Sequence, residues 1–146
     1  MCIRDSIDIG SVELIEAADG NEIDTYLHVQ DGRGVNGVVV EGSGVDTDTL
    51  HQIALHIAFS KPSFLDKDQV SDDDVAKERA ALLEITKSEG KPEQAWDKIV
   101  DGRLTAWYRD RVLLEQELSG ADSKTSVAEA AAPGTITRFE QTVIGA

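Results

Sequence analysis

Residues 50–65 read LHQIALHIAFSKPSFL, and this stretch decides the fold. At roughly 100° per residue, Leu50, Ile53, Ala54, Ile57 and Ala58 fall on one broad apolar stripe. Leu55 and Phe59 extend the apolar surface beyond that stripe, so that only Gln52, His56 and Ser60 make a narrow polar seam. A helix apolar around so much of its circumference is either buried or covers a partner. Lys61-Pro62 ends it, because proline removes a donor and biases the residue before it away from the helical region.

Upstream, the chain alternates short apolar runs with turn residues. Val12–Glu16 reads as a strand ended by Ala18-Asp19-Gly20-Asn21. Ile23–Val29 follows as a second strand, Gln30–Gly34 as a turn, and Val35–Glu41 as a third strand closed by Gly42-Ser43-Gly44. Strands joined by so few residues form an antiparallel meander, since parallel pairs need long crossovers. Residues 1–6 (MCIRDS) fit neither this pattern nor any motif and read as a non-native or disordered start, with Ile7 near the first genuine residue.

Val45–Thr49 leads into the opening helix, with Asp46 or Thr47 as its N-cap. Downstream, Phe64, Leu65 and Val70 read as packed loop residues. Ser71 followed by Asp72, Asp73 and Asp74 is a helix start: a hydroxyl caps the first turn and carboxylates meet the positive helix end. That helix runs to about Glu89 with Val75, Leu82, Leu83 and Ile85 on one side. Gly90-Lys91-Pro92-Glu93 then breaks the chain, glycine as C-cap and proline at the next entry. The next helix, about Glu93–Asp110, places Ala95, Trp96, Ile99, Val100, Leu104, Ala106 and Trp107 on its inner half. Helices joined so briefly form an antiparallel hairpin, here about residues 71–110. Arg103 projects into the apolar half, which calls for stacking on an aromatic ring and a carboxylate partner; Glu78, Glu84 and Glu115 are the candidates. Val112–Leu118 reads as another strand, Lys124–Ala132 as a short helix and Thr135–Val143 as a final strand. The fold class is therefore α+β: antiparallel sheet flanked by helices, with a projecting helical hairpin.

Composition narrows the function. With 28 acidic against 14 basic residues, the formal charge of −14 repels phosphate backbones, so nucleic acid and anionic membrane are poor partners. No run approaches the roughly 20 apolar residues of a membrane span, and MCIRDSIDIG has no signal-peptide h-region, which together point to a cytoplasmic protein. The single Cys2 provides neither an intramolecular disulfide nor a cysteine zinc site. His51 and His56 lie roughly 140° apart around their helix and do not ligate one metal as an i, i+4 pair does. No serine sits in a G-x-S-x-G elbow. Gly32-Arg33-Gly34 and Gly42-Ser43-Gly44 are turns, not phosphate loops, and the run Asp72–Asp74 is a solvated helix start. No enzyme, no metal and no cofactor is expected. A small hydrolase would need two of His28, His51 and His56 to converge in a pocket. On pattern alone the seam at His56, bordered by Phe59, faces either water or a partner.

Several spaced motifs, in order from about Val12 to Val143, resemble the elongation factor Ts family. Tyr26–Glu41 resembles that family's strand–turn–strand ending in Ile-Gly-Val-Leu-Val, and His51–Pro62 its His-Ile-Ala-x-His-Val-Ala-x-x-Lys-Pro helix. Gly90-Lys91-Pro92-Glu93, Lys98–Leu104 (KIVDGRL), Leu113-Leu114-Glu115-Gln116, Lys124-Thr125-Ser126-Val127 and Thr137-Arg138-Phe139 complete the likeness. The resemblance implies that residues 7–146 are the C-terminal part of such a factor's core, dimerisation-type domain. It implies a guanine nucleotide exchange function in translation elongation, displacing GDP from elongation factor Tu by distorting its phosphate and magnesium pocket. By the same analogy His56 packs against the GTPase, with Gln52 on the same seam. Asn36-Gly37 touches the same surface, and Leu118 lies in a segment near the partner's other domains. Phe59 borders the seam as a contact; the family has a small residue there, which implies the alternative that the ring fills a local core. Asn36 replaces an apolar residue, and Glu117-Leu118-Ser119 a Pro-Phe-Val pattern. The family's N-terminal helical domain and its Thr-Asp-Phe-Val wedge do not occur in residues 1–146, so weak exchange is expected of this truncated chain. Self-association as a homodimer stays open. The alternative from another class is an acidic interaction or scaffold module without exchange activity.

Overall fold

A computed structural model describes residues 8–144, and the reading of residues 1–6 as a non-native start lies outside the described residues. The strands β1 (Asn21–Gln30), β2 (Arg33–Ser43) and β3 (Thr135–Val143) form one antiparallel sheet in the order β1-β2-β3. β1 and β2 turn through Asp31-Gly32, with φ of 52° and 75°, the pair of left-handed residues that a tight hairpin between right-twisted strands requires. β3 returns from the far end of the chain to the other side of β2, with Val40 opposite Phe139 and Val38 opposite Gln141. Gly134, just before β3, passes so close to β2 that a Cβ there would lie 2.5 Å from the backbone of Ser43 and Gly44.

The helix read from residues 50–60 is α1 (Thr47–Ser60), which covers one face of the sheet. Of the two N-cap candidates Asp46 is the one used, its carboxylate accepting from the backbone and hydroxyl of Thr49 at 2.9 and 2.7 Å. Lys61, at φ 49°, closes the helix by donating to the Ile57 carbonyl. Leu50, Ile53, Ala54 and Ile57 are fully buried with Val38, Val40 and Ile136. The apolar stripe is thus the main core.

Two expected strands do not form. Val12–Glu16 pairs with nothing; Val12 and Leu14 are 87 % and 78 % exposed. The segment instead shares a shallow cavity with the outer face of the sheet, where Glu13 meets Arg138. Its end is tied by the buried Glu41 carboxylate, which accepts from Asn21 Nδ2 at 2.7 Å and from the Ala18 N–H at 2.9 Å. Those hydrogen bonds hold the Glu41 pKa below the ordinary value, the Asn21 bond most of all. Val112–Leu118 is the second correction. Its backbone is shared between a 3-10 turn at Leu113–Glu115 and single bridges from Val112 to Phe64 and from Glu117 to Ser126. Leu113 donates to Phe64 and Leu118 to Thr125, so no continuous ladder is available and the apolar residues plug the core as a loop.

The helices α2 (Asp72–Ser88) and α3 (Trp96–Arg111) pack against each other as the projecting hairpin, α2 capped by Ser71. Val75, Leu82 and Leu83 are half-buried, whereas Ile85 is 48 % exposed and stands off the expected face. Arg103 binds neither a ring nor any of the three expected carboxylates. Its Nη2 donates to both oxygens of Glu89, at 2.9 and 2.7 Å, and its Nη1 to Thr86 Oγ1. Thr86, fully buried, leaves the guanidinium a polar lane to the end of α2, while Glu84 pairs with Lys87 and Glu115 with Lys67. Arg111 takes the Trp107 ring, 4.9 Å from its centroid. A short α4 (Val127–Ala131), started by a Ser126–Glu129 capping box, precedes β3.

Candidate functional site

The back of α1 carries a cavity of about 340 Å³ lined by Gln52, Leu55, His56, Phe59, Ser119 and Gly120. Phe59 does not fill a local core: it is 73 % exposed and forms one wall. An aromatic ring held so far into water is the costliest exposed side chain on this helix.

His56 is at the bottom, only 3 % exposed, and not on a solvent seam. Both ring nitrogens are used internally. Nε2 lies 2.8 Å from Gln116 Oε1, which also accepts from Ser60 Oγ at 2.9 Å. The Gln116 amide is oriented by its Nε2 donating to the Asp110 carbonyl at 3.3 Å, so the oxygen faces the imidazole. An oxygen acceptor there places the imidazole proton on Nε2. Nδ1 then accepts, and the Ser119 N–H donates to it at 3.1 Å with the Ser119 hydroxyl 3.0 Å away. The imidazole is therefore a neutral bridge between α1 and the turn at Ser119-Gly120. In the sequence Gln116 and Ser119 stand only as the ends of the Leu113–Gln116 and Glu117–Ser119 motifs, with no site role given to either; Ser119-Gly120, a turn pair after an apolar residue, is the one local signal.

The other expected site residues are dispersed. Gln52 is exposed at the cavity rim. Asn36 is half-buried on the α1 side of the sheet, its Nδ2 donating to the Ala58 carbonyl at 2.9 Å and its Oδ1 accepting from Gln141 at 3.1 Å. Gly37 lies instead with Leu27 and Val39 at the cavity on the outer sheet face. Leu118 is buried in the core beside Val127, which removes its side chain from the surface.

The histidines do not converge. His51 Nδ1 meets Asp24 Oδ2 at 2.6 Å, and His28 meets the Tyr26 hydroxyl at 3.2 Å. Among the described residues no group of three His, Cys, Asp or Glu side chains is placed to hold a metal, and no helix is long and apolar enough to cross a membrane.

Burial pushes the His56 pKa below 6.5, against a weaker upward pull from Gln116. The folded state therefore binds the His56 proton less readily than the unfolded chain does. Its contribution to stability is complete above about pH 6.5 and falls as the pH drops from there toward the depressed folded value. Denaturation midpoints measured on both sides of that pH should show the loss, and His56→Asn should be flat over the same window. An equal slope in the two proteins would assign the effect to another group.

The family model described as Elongation factor TS matches residues 1–146. The chain is 43 % identical over 131 residues to Elongation factor Ts of Clavibacter michiganensis subsp. michiganensis, covering 87 % of this chain and 47 % of that protein. It is 43 % identical over 130 residues to Elongation factor Ts of Mycobacterium ulcerans, covering 86 % and 48 % respectively. For Elongation factor Ts of Mycobacterium avium the figures are 45 % over 131 residues, with 84 % and 47 % covered. The chain thus spans about half the length of the curated relatives it matches.

Proposed function

The chain belongs to the elongation factor Ts family, and from that premise we propose that it acts in translation elongation, in the cytoplasm, as a module that docks on elongation factor Tu and promotes GDP release. The observation that carries this reading is the exposed Phe59 ring beside the cavity of α1, with Gln52 and Leu55 on the same surface. An aromatic anchor next to a concave, mostly apolar site is the form that interface hot spots take. In this reading no covalent bond is made or broken. An exchange factor binds the nucleotide-free or distorted GTPase more tightly than the GDP-bound form, and by linkage this weakens GDP binding by the same factor.

Docking and exchange are read out separately on residues 1–146. Immobilised chain should retain elongation factor Tu, and in stopped flow it should accelerate release of a fluorescent GDP only slightly. Failure to retain the GTPase would sink the docking reading. Retention with release entirely unchanged would favour the scaffold reading, for which the −14 net charge is the supporting observation.

A further inference from the structure

We infer that Gln116 and Ser119 are positioning residues of the docking surface, holding the His56 imidazole as its Nε2–H tautomer and, through it, the Ser119-Gly120 turn as the second wall of the Phe59 cavity. This rests on the docking reading above and assigns to His56 a different part in it: a hidden bridge in place of a direct contact.

The geometry leaves the ring little choice. Gln116, itself 7 % exposed, offers an oxygen to Nε2 and cannot accept Nδ1–H from the same position. Ser119 offers a backbone N–H to Nδ1, which repels a proton there. The two contacts come from one segment, so its register against α1 is read at both ring nitrogens. Gly120 follows at φ 82°, a backbone state natural to glycine, and faces the cavity with Ser119. Phe59, one turn after Leu55 on α1, lines the same cavity. One wall is therefore rigid helix, and the other is a polar turn fixed by an imidazole. A turn already ordered before the partner arrives avoids the ordering cost that would otherwise weaken binding.

The test uses the full 146-residue chain with ¹⁵N-labelled imidazoles and elongation factor Tu bound to GDP. Wild-type His56 should show a proton on Nε2 and a bare Nδ1; a proton on Nδ1 overturns the inference at once. Gln116→Met frees the ring to turn away from the Ser119 N–H, and should therefore give mixed tautomers and about tenfold weaker binding. A side chain acting on stability alone would lower the melting temperature and leave the tautomer of the folded state unchanged. Gly120→Ala strains the exposed turn without touching the ring, and should weaken binding several-fold with the tautomer kept. It decides the matter if Gln116→Met does not fold, since unchanged affinity in a folded variant of either kind overturns the inference. Phe59→Ala separates the two levels. If it weakens binding while Gln116→Met and Gly120→Ala bind as wild type, the docking surface stands and the positioning role falls. If Phe59→Ala binds as wild type, the surface itself is wrong.

Discussion

Leu50→Ala is expected to lose about 3 kcal/mol of folding stability, within the roughly 2–5 kcal/mol seen for leucine truncations in packed cores. Leu50 is fully buried where α1 meets the end of β2, and its Cδ1 lies 3.0 Å from where a Cβ on Gly42 would stand. The backbone of β2 is thus already at the surface of this side chain. β2 is hydrogen-bonded to a strand on each side and cannot slide in to fill a void, so the cavity penalty adds to the lost transfer energy. For a chain of this size such a loss lowers the melting temperature by roughly 10 °C. Ile85→Ala is the contrast: that side chain is 48 % exposed on α2, and its truncation should cost well under 1 kcal/mol. Thermal melts of both variants by circular dichroism check the pair. Similar losses in the two would mean that α1 and the sheet do not form the main core.

The elements legible in the sequence were those whose signal is local. The stripe Leu50–Ala58 needs only helical spacing, Ser71 with three aspartates needs only cap chemistry, and the strand at Thr135–Val143 is bounded by Pro133-Gly134. Val12–Glu16 and Val112–Leu118 have strand-like composition too, but a strand exists only where a ladder partner is free. For the first, the open edges of β1 and β3 are not reached, because the segment lies at the outer face of the sheet; for the second, the available donors and acceptors are spent on the loop around Phe64 and Thr125. The site failed for a related reason. Position on a helical wheel puts His56 beside Gln52 and Ser60, but Gln116, some 60 residues along the chain, closes over it. Burial of a seam by a distant loop has no local signature. Arg103 shows the same limit: polar lane and partner, Thr86 and Glu89, both lie on the facing helix.

Phe59→Ala should weaken docking to elongation factor Tu by about 2 kcal/mol, a factor of roughly 30, and shift folding stability by less than about 0.5 kcal/mol. Both halves follow from the 73 % exposure of the ring. A side chain with so few contacts in the free protein has little to lose on truncation, whereas a partner that covers it removes most of its apolar surface from water. Leu118→Ala makes the reverse case. Leu118 is 7 % exposed in the core, so its truncation should cost about 2–3 kcal/mol of stability. Any effect on docking should then come through the adjoining Ser119-Gly120 turn. Calorimetric titration with the GTPase, beside denaturant unfolding of each variant, separates the two quantities. If Phe59→Ala destabilised the fold and left docking intact, the ring would belong to this chain's own packing and the exposed surface of α1 would lose its anchor. If docking falls and stability holds, the helix is two-sided. Leu50, Ile53 and Ile57 then build the core on one side, and Phe59 meets the partner on the other, next to a wall set by His56.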